Sequence, residues 1–595
     1  IGRLSLKENT TGSENTALGR SALTETTTGA QNTAVGHFAL ACNTTCGNLT
    51  AVGYGALCAN TTGTNDTAMG HASLDANTSG SDNVGFGTNT LGANTSGGNN
   101  TAIGSCALQA NTTASNNTAV GLRTLLVNTT GADNTALGSG ALDANTTASN
   151  NTAVGYVALS LNTTGTNLVA VGAGALDANT TADNNTAVGK TSLGGNTTGA
   201  GNTAVGSSAL SLNTTGSNNT AVGFCAGIKQ TTGDNNTSLG SFALDLLTTA
   251  DNNTAIGKSS QSQNTTGARN TSVGVQSMEC VVSGPDNTAM GYCALHKNIT
   301  GNNTAFGSCA GMCITEGDKN TSVGALALAA NTTGCRNTAV GFQAGLGNTT
   351  GNENAFFGRL AGCENTTGRN NTGIGSSSFN SNTTGNNNVA IGHSSLESNT
   401  TADDGIAIGY VALAQNTTGA MNVAVGNYSL DANTTGHSNS AMGVSSLSAN
   451  TTGDGNVAIG LSSLQANTTG SYSVAIGEGA LKSATTGGDN TAVGRNAAQN
   501  LTTGTNNFVF GSGADAVKNI TSDNHQIVIG NNSNTNAFIK IDWTVTSDLR
   551  DKTEIKNVKH GLDFVNQITP IEYKFKKSRE DDTPHGLTKY GFKAQ

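Results

Sequence analysis

A serine and a lysine near the C-terminus carry side chains that can act as a catalytic pair. Ser547 and Lys552 lie in the segment TSDLRDK, which begins at Thr546. A lysine whose pKa is lowered by burial can take the proton of a serine hydroxyl and make it nucleophilic. The same residues suit a simpler role, because a serine before a charged run is typical of a helix N-cap. Five residues' separation does not place both side chains on one helix face, so the catalytic interpretation requires a turn. The residues alone leave both interpretations open.

Four aspartates recur in the tetrapeptide Leu-Asp-Ala-Asn, namely Asp75, Asp143, Asp177 and Asp431. Paired carboxylates would suit the hydrolysis of a glycan. These aspartates, however, lie in repeat units that are mostly not adjacent, and no second acid is fixed beside them. We therefore predict exposed, solubilising charges and no turnover of an external substrate.

The 11 cysteines are scattered over several positions of the repeat and are not accompanied by a Cys/His cluster with metal-ligand spacing. We predict free thiols that stand in for Ser, Ala or Gly. Cys293 and Cys309 occupy the same position of adjacent units, so a disulfide between them is the alternative. No metal and no cofactor are predicted.

A glycine returns every 17 residues, from Gly2 to Gly291 and again from Gly307 to Gly511. One 16-residue unit joins the two runs, so the chain contains 30 units with the consensus G-x-x-A-L-x-x-N-T-T-G-x-x-N-T-A-V. Repeats this short and strict predict an all-β fold, a parallel β-solenoid with 17-residue coils, because one unit cannot bury its apolar face without its neighbours. The missing residue falls between Gly301 and Thr304, in a turn, and we expect it to leave the strands in place.

Each unit is predicted to supply two short strands, N-T-A-V-G and x-x-A-L, with N-T-T-G as a turn between them. Asparagine supplies side-chain-to-backbone hydrogen bonds in such turns, and glycine tolerates positive φ. Asn-x-Thr is also the glycosylation signature. The turn interpretation is the preferred one.

Composition favours an ordered fibre over a globular enzyme or a disordered chain. The chain has 80 glycines and 4% aromatic residues, yet its apolar residues keep fixed positions in the repeat, and its three prolines leave nearly every ladder donor available. The net charge of −10 argues against nucleic-acid binding. No apolar run approaches the ~20 residues of a membrane span, so no membrane insertion is predicted. Because the chain opens on Ile1 and Gly2, the last apolar residue and the glycine of a repeat motif, we infer that an N-terminal portion precedes it.

A 17-residue coil encloses little more than one leucine and one valine, which is a thin core for a free-standing solenoid. Burying the alanine face against identical chains would complete that core. We therefore predict a homotrimer with small residues near its axis.

The repeat breaks after Gly511, and the segments HQIVIG (525–530) and AFIKIDWTV (537–545) are interpreted as longer strands. Beyond them, residues 561–568 are predicted to form a short helix and residues 571–576 a strand, with Pro570 at the boundary. The predicted divisions are a solenoid shaft over 1–511, a β-rich transition segment over 512–546 and a small α+β segment over 547–595.

Two groups of residues resemble known families. The N-x-A-V-G-x-x-A motifs of residues 1–511 resemble the left-handed β-rolls in the heads of trimeric autotransporter adhesins and in phage tail-fibre shafts, although adhesin units have 14 residues. The ordered motifs SDLRDK, GLDFVNQITPIEYKF and GFKAQ are similar to the intramolecular chaperone domain of phage tail spikes, endosialidases and long fibres. Family members continue past the position of Gln595, so the domain is expected to be truncated here.

The second resemblance implies that the C-terminal domain trimerises, templates folding of the shaft and cuts itself off. By position, Ser547 would be the nucleophile, Lys552 its base, and the Thr546–Ser547 bond the scissile one. The chain would then be a virion fibre, a phage tail fibre or spike, that binds a host cell-surface receptor. The alternative is a bacterial trimeric surface adhesin, located at the cell surface, with the same processing domain.

Overall fold

The computed structural model describes residues 2–514, 519–536, 569–578 and 581–593. The chain divides into two compact units, Ile1–Ser533 and Asn534–Gln595. Within the described ranges the secondary structure is β-strand and turn, without an α-helix. The strands of the first unit are Thr16–Leu18 (β1), Thr33–Val35 (β2), Thr50–Val52 (β3), Thr67–Met69 (β4), Val84–Phe86 (β5), Thr101–Ile103 (β6), Thr118–Val120 (β7), Thr135–Leu137 (β8), Thr152–Val154 (β9), Val169–Val171 (β10), Thr186–Val188 (β11), Thr203–Val205 (β12), Thr220–Val222 (β13), Thr237–Leu239 (β14), Thr254–Ile256 (β15), Thr271–Val273 (β16), Thr288–Met290 (β17), Thr304–Phe306 (β18), Thr321–Val323 (β19), Thr338–Val340 (β20), Ala355–Phe357 (β21), Thr372–Ile374 (β22), Val389–Ile391 (β23), Ile406–Ile408 (β24), Val423–Val425 (β25), Ser440–Met442 (β26), Val457–Ile459 (β27), Val474–Ile476 (β28), Thr491–Val493 (β29), Phe508–Phe510 (β30) and Ile527–Ile529 (β31).

The first unit is a parallel β-solenoid with about 17 residues per coil, as the glycine spacing predicts. Each strand pairs in parallel with the strand of the next coil, and equivalent residues face one another, as Thr33 pairs with Thr50 and Ala34 with Ala51. These pairings join β1 to β31 into one 31-stranded sheet. The N-T-A-V segments are therefore correctly predicted as strands.

The prediction of a second strand at x-x-A-L is wrong. This segment is a series of turns in which alternate residues are left-handed, such as Phe38 at φ 62° and Leu40 at φ 51°. Left-handed backbone costs about 1–2 kcal/mol per residue. The cost is offset because the turns let a short coil close on itself, bury the leucine fully and donate the Leu40 N–H to the carbonyl of Ala56 in the next coil at 3.0 Å.

The repeat glycine follows each strand and is needed by the stacking of the coils. Gly104 has φ 126°, and a Cβ atom at this position would overlap the carbonyl oxygen of Gly121 in the next coil. The neighbouring carbonyl therefore occupies the space that any side chain would need. The 17-residue glycine period is a direct record of this contact.

The core lies inside the coil of one chain and is built from alanine and leucine. The central alanine of a strand, such as Ala102, and the fifth residue of the unit, such as Leu108, have no exposed surface. The prediction that the alanine face packs around a trimer axis is thus wrong, because that face points into its own coil. The residue before the glycine, predicted to share the core with leucine, lies on the outside, as Ile103 shows with 39% exposure.

Two columns of buried asparagines run through the solenoid beside this core. In the column that precedes the strands, Asn117 Oδ1 accepts hydrogen bonds from the backbone N–H and the side-chain amide of Asn134, at 3.0 and 3.1 Å. Its own amide donates to the carbonyl of Gly131 at 3.0 Å. Each asparagine therefore links three coil segments, and the polar interior is satisfied by ladders rather than by water.

The second column consists of the asparagines of the N-T-T-G turns. Asn60 Nδ2 donates to the carbonyl of Gly63 at 2.9 Å, which confirms the predicted side-chain-to-backbone bond of the turn. Asn111 adds a bond to Asn94 Oδ1 at 2.9 Å in the preceding coil. These asparagines are fully buried, so their amides are occupied by protein partners and are not presented to a glycosyltransferase.

Two coils depart from the 17-residue length without disturbing the sheet. The 16-residue unit keeps Thr288 paired with Thr304, as expected for a deletion in a turn. At the other end, Phe508 pairs with Ile527 across a 19-residue coil. The segment at 525–530 thus contains a three-residue strand of the same sheet rather than a longer strand.

The second unit contains a described β-hairpin of Thr569–Ser578 (β32) and Asp581–Lys593 (β33). The two strands are antiparallel, with Ile571 opposite Gly591 and Tyr573 opposite Lys589. The strand predicted at 571–576 is confirmed, although it begins one residue before Pro570 rather than after it. The helix predicted at 561–568 and the strand predicted at 537–545 lie outside the described residues.

Candidate functional site

The predicted catalytic and cleavage residues, Thr546, Ser547 and Lys552, lie outside the described residues. Their roles stay predictions. The described part of the same segment is the β32–β33 hairpin, which brings together two of the motifs singled out in the sequence. Pro570 of the first motif pairs with Phe592 of the second.

The aspartates of the Leu-Asp-Ala-Asn motifs are half-buried rather than exposed, which corrects the sequence-based expectation. Burial raises the pKa of Asp75, Asp177 and Asp431, and the backbone N–H groups of each aspartate and of the following alanine partly oppose that shift. Asp143 differs, since Arg123 Nη2 lies 3.4 Å from its Oδ2. These carboxyl groups occur singly in separate coils and do not form the close pair that glycan hydrolysis requires.

All 11 cysteines are free thiols, including Cys293 and Cys309 in neighbouring coils. Burial raises the pKa of Cys46, Cys225 and Cys363, which keeps these groups protonated near neutral pH. The Cys46 thiol donates to the carbonyl of Thr61 at 3.3 Å, as a serine hydroxyl would. Thiols of this kind are poor nucleophiles.

A search of the described ranges gives no group of three or more His, Cys, Asp or Glu side chains that could hold a metal ion. The same ranges contain no helix of the length and hydropathy needed to cross a bilayer.

An apolar stripe, defined as the third residues of strands β1 to β31, runs along the outer face of the sheet. Its members are Val, Ile, Leu, Met or Phe, and many are exposed in the single chain, such as Phe86 at 50% and Met442 at 46%. The first residue of most strands is threonine on the same face, and it becomes Val or Ile in several coils. Sequence analysis identified these apolar positions but placed them in the core.

The stripe is the largest continuous apolar feature on the described surface of the solenoid. Soluble monomeric proteins rarely expose apolar patches larger than a few hundred Å², and larger patches mark interaction sites. Because the stripe recurs in every coil and carries no charged residue, its partner must present an equally long apolar surface.

Residues 547–595 match the model of a protein family described as chaperone of endosialidase. The match begins at Ser547, the residue that sequence analysis singled out. Among curated proteins, none matches the chain. A parallel β-solenoid followed by a chaperone segment of this kind fits a tail fibre or tail spike with a C-terminal chaperone domain.

Proposed function

We propose that the chain is the shaft of a homotrimeric fibre that attaches to a host surface, and that residues 547–595 guide its assembly and then leave by self-cleavage. The observation that carries this proposal is the family match, which begins at Ser547, C-terminal to a solenoid of 31 stacked strands. A repetitive shaft and an assembly domain serve each other, for reasons that lie in the solenoid itself.

The solenoid has a register problem that an assembly domain would solve. Strand partners are nearly identical from coil to coil, as Thr33 with Thr50 and Thr186 with Thr203 show. Sliding one chain past another by a whole coil therefore preserves almost every contact, and the correct alignment gains little energy over the wrong ones. A C-terminal clamp that aligns three chains before the shaft folds would select one register. Its later removal would leave a fibre protected by a high unfolding barrier.

The apolar stripe supplies a surface for the homotrimer. If each of the 31 coils buries about 50 Å² of stripe, a chain buries roughly 1,500 Å², which exceeds the ~800 Å² per partner of a standard interface. A second copy of the chain matches the stripe in length, periodicity and lack of charge. The trimer thus uses the valine face of the strands, in place of the alanine face.

The proposed cleavage uses two residues in separate roles. Lys552 in its neutral form takes the proton of the Ser547 hydroxyl, and Oγ attacks the carbonyl carbon of Thr546. The C–N bond of the scissile peptide breaks, its nitrogen takes the proton, and water hydrolyses the resulting ester between Thr546 and Ser547. The chain consumes one water per cut and does not turn over.

A fibre of this kind belongs in a virion or on a bacterial surface. The virion fibre is the first candidate, because the matched family is named for the chaperone of a spike enzyme. A bacterial surface stalk is the second candidate, favoured by the N-x-A-V-G repeats of the shaft.

Intact-mass measurement of the full gene product tests cleavage, with Ser547→Ala and Lys552→Gln beside the unchanged chain. We expect loss of the piece that begins at Ser547 in the unchanged chain alone. The exposed substitution Thr452→Ala is a matched control and leaves cleavage intact. Equal masses for the unchanged chain and Ser547→Ala would refute self-cleavage and favour the helix-cap role of Ser547. Deletion of residues 547–595 tests assembly separately, since a normal yield of trimer without them would refute the chaperone role.

A further inference from the structure

A cavity of about 460 Å³ lies on the side of the first coils, on the turn segments rather than on the strands. Phe38 and Tyr54 line it together with Gly55, Cys58, Glu25 and Asp75. These residues come from three consecutive coils and the beginning of a fourth. The cavity is a recess in one chain and does not depend on residues 547–595.

Gly55 creates the recess. It occupies the third position of its unit, where the preceding coil carries Phe38, and a Cβ atom at this glycine would meet nothing within 4 Å. Its φ of +67° lies in the left-handed region that the third position requires in every coil. The space above Gly55 is therefore open, and a larger side chain could occupy it without a backbone clash.

Stacked aromatic rings form one wall of the cavity. The imidazole of His37 stacks on Phe38 with ring centroids 4.0 Å apart, and His71 stacks on Tyr54 at 5.2 Å. Phe38 keeps 40% and Tyr54 53% of its surface exposed, although both are large aromatic side chains. Aromatic π-surface that is held in place by stacking on one side and exposed on the other is a rigid platform for a ligand.

The charge in the cavity is negative and uncompensated. Glu25 and Asp75 line the cavity, and in the described part of the chain neither forms an ion pair. Burial and the Glu25 carboxylate raise the pKa of the Cys42 thiol, and burial and Asp75 raise that of Cys58. The imidazole of His71 offsets the charge of Asp75 only weakly. The two thiols therefore record a negative potential inside the cavity.

We propose that this cavity binds an organic cation, a quaternary ammonium or alkylammonium group, against Phe38 and Tyr54 and between Glu25 and Asp75. Cations of this type are attracted to the negative faces of aromatic rings, and their weak hydration suits a site whose floor is alanine and thiol. The carboxylates supply charge complementarity, and the recess at Gly55 supplies the volume for the cationic head. The inference goes beyond the proposed fibre role and does not rest on it.

Titration of the full chain with choline, followed by calorimetry or ligand-observed NMR, tests the proposal. We expect saturable binding that Gly55→Asn and Glu25→Gln each weaken by about tenfold, which corresponds to the 1–2 kcal/mol of a cation–π or charge contact. Gly174→Asn is the matched control, since Gly174 occupies the same position of its unit with φ +64° and lies outside the cavity. This variant carries the same backbone change and should bind choline normally.

The neutral isostere 3,3-dimethyl-1-butanol separates charge from shape. We expect it to bind about tenfold more weakly than choline. Equal binding of the two compounds would show an apolar recess without cation selectivity and overturn the proposal. Absence of saturable choline binding, or choline binding that Gly55→Asn leaves unchanged, would overturn it as well.

Discussion

Asp66 Oδ1 accepts two hydrogen bonds from Asn83 in the next coil, from the backbone N–H at 2.8 Å and from the side-chain amide at 3.1 Å. In most coils this position holds asparagine, so Asp66 is a carboxyl group inserted into a ladder of amides. It is fully buried. Burial raises the pKa of Asp66 to about 7, and the hydrogen bonds from Asn83 oppose the shift only in part.

Asp66→Asn should stabilise the surrounding coils at neutral and alkaline pH. Since the carboxyl pKa rises from 3.8 to about 7 on folding, the folded chain holds more protons than the unfolded chain between these values. The free energy of unfolding therefore falls as pH rises through this window and stays low above it. Asparagine removes the penalty, which amounts to about 2–4 kcal/mol above pH 8 and vanishes below about pH 4.

Hydrogen exchange of peptides that cover residues 60–100, measured from pH 4 to 8 and corrected for intrinsic rates, reports this change locally. Asp133→Asn is the control, because Asp133 is exposed and lies in another coil. A pH-independent difference between Asp66→Asn and the unchanged chain would show that burial of charge is not its cause.

Gly104→Ala should destabilise the solenoid far more than Gly174→Ala. Both glycines have positive φ, 126° and 64°. A methyl group on Gly104 would overlap the carbonyl of Gly121, whereas one on Gly174 would meet its nearest atom, Thr191 Cγ2, at 3.5 Å. We expect a loss of about 1 kcal/mol at Gly174 and several kcal/mol at Gly104, read from urea unfolding followed by circular dichroism. Equal losses would mean that φ alone, and not coil stacking, fixes the glycine period.

Asn117→Ala should cost about 2–4 kcal/mol, because it leaves the backbone N–H of Asn134 and the carbonyl of Gly131 without this partner inside the coil. Asn117→Leu should cost less. Leucine already occupies the same column at Leu49 and Leu168, where it is fully buried, and it fills the volume that alanine leaves empty.

Local hydrogen exchange around residues 111–134 distinguishes the two variants, and Thr113→Ala, at an exposed turn position, is the control. If alanine and leucine cost the same, the ladder bonds dominate and the cavity contributes little. If neither costs more than Thr113→Ala, the ladder does not stabilise the coil.

Sequence periodicity was sufficient to predict the coil length, the Thr-Ala-Val strands and the harmless deletion between Gly301 and Thr304. It failed where a residue adopts a backbone conformation that its type disfavours. Leu40 is left-handed because chain closure and burial outweigh its local preference, so an apolar pair that suggests a strand forms a turn instead. The wrong strand then placed the alanine face outside and hid the asparagine ladders. Asparagine at two fixed positions of nearly every unit was the available signal for those ladders.

Ile408→Lys combined with Ile459→Lys should dissociate the proposed homotrimer. Both side chains belong to the apolar stripe and are 37% and 39% exposed in the single chain. Lysine at these positions would bring charges of one sign together in an interface without counter-ions, while the core of each coil keeps its alanine and leucine. We expect monomers with unchanged circular dichroism, measured by light scattering after gel filtration. Thr401→Lys combined with Thr452→Lys places the same charges on exposed turns of the same two coils and should leave the trimer intact. A trimer that survives the isoleucine pair, or one that the threonine pair dissociates, would place the interface on another face of the solenoid.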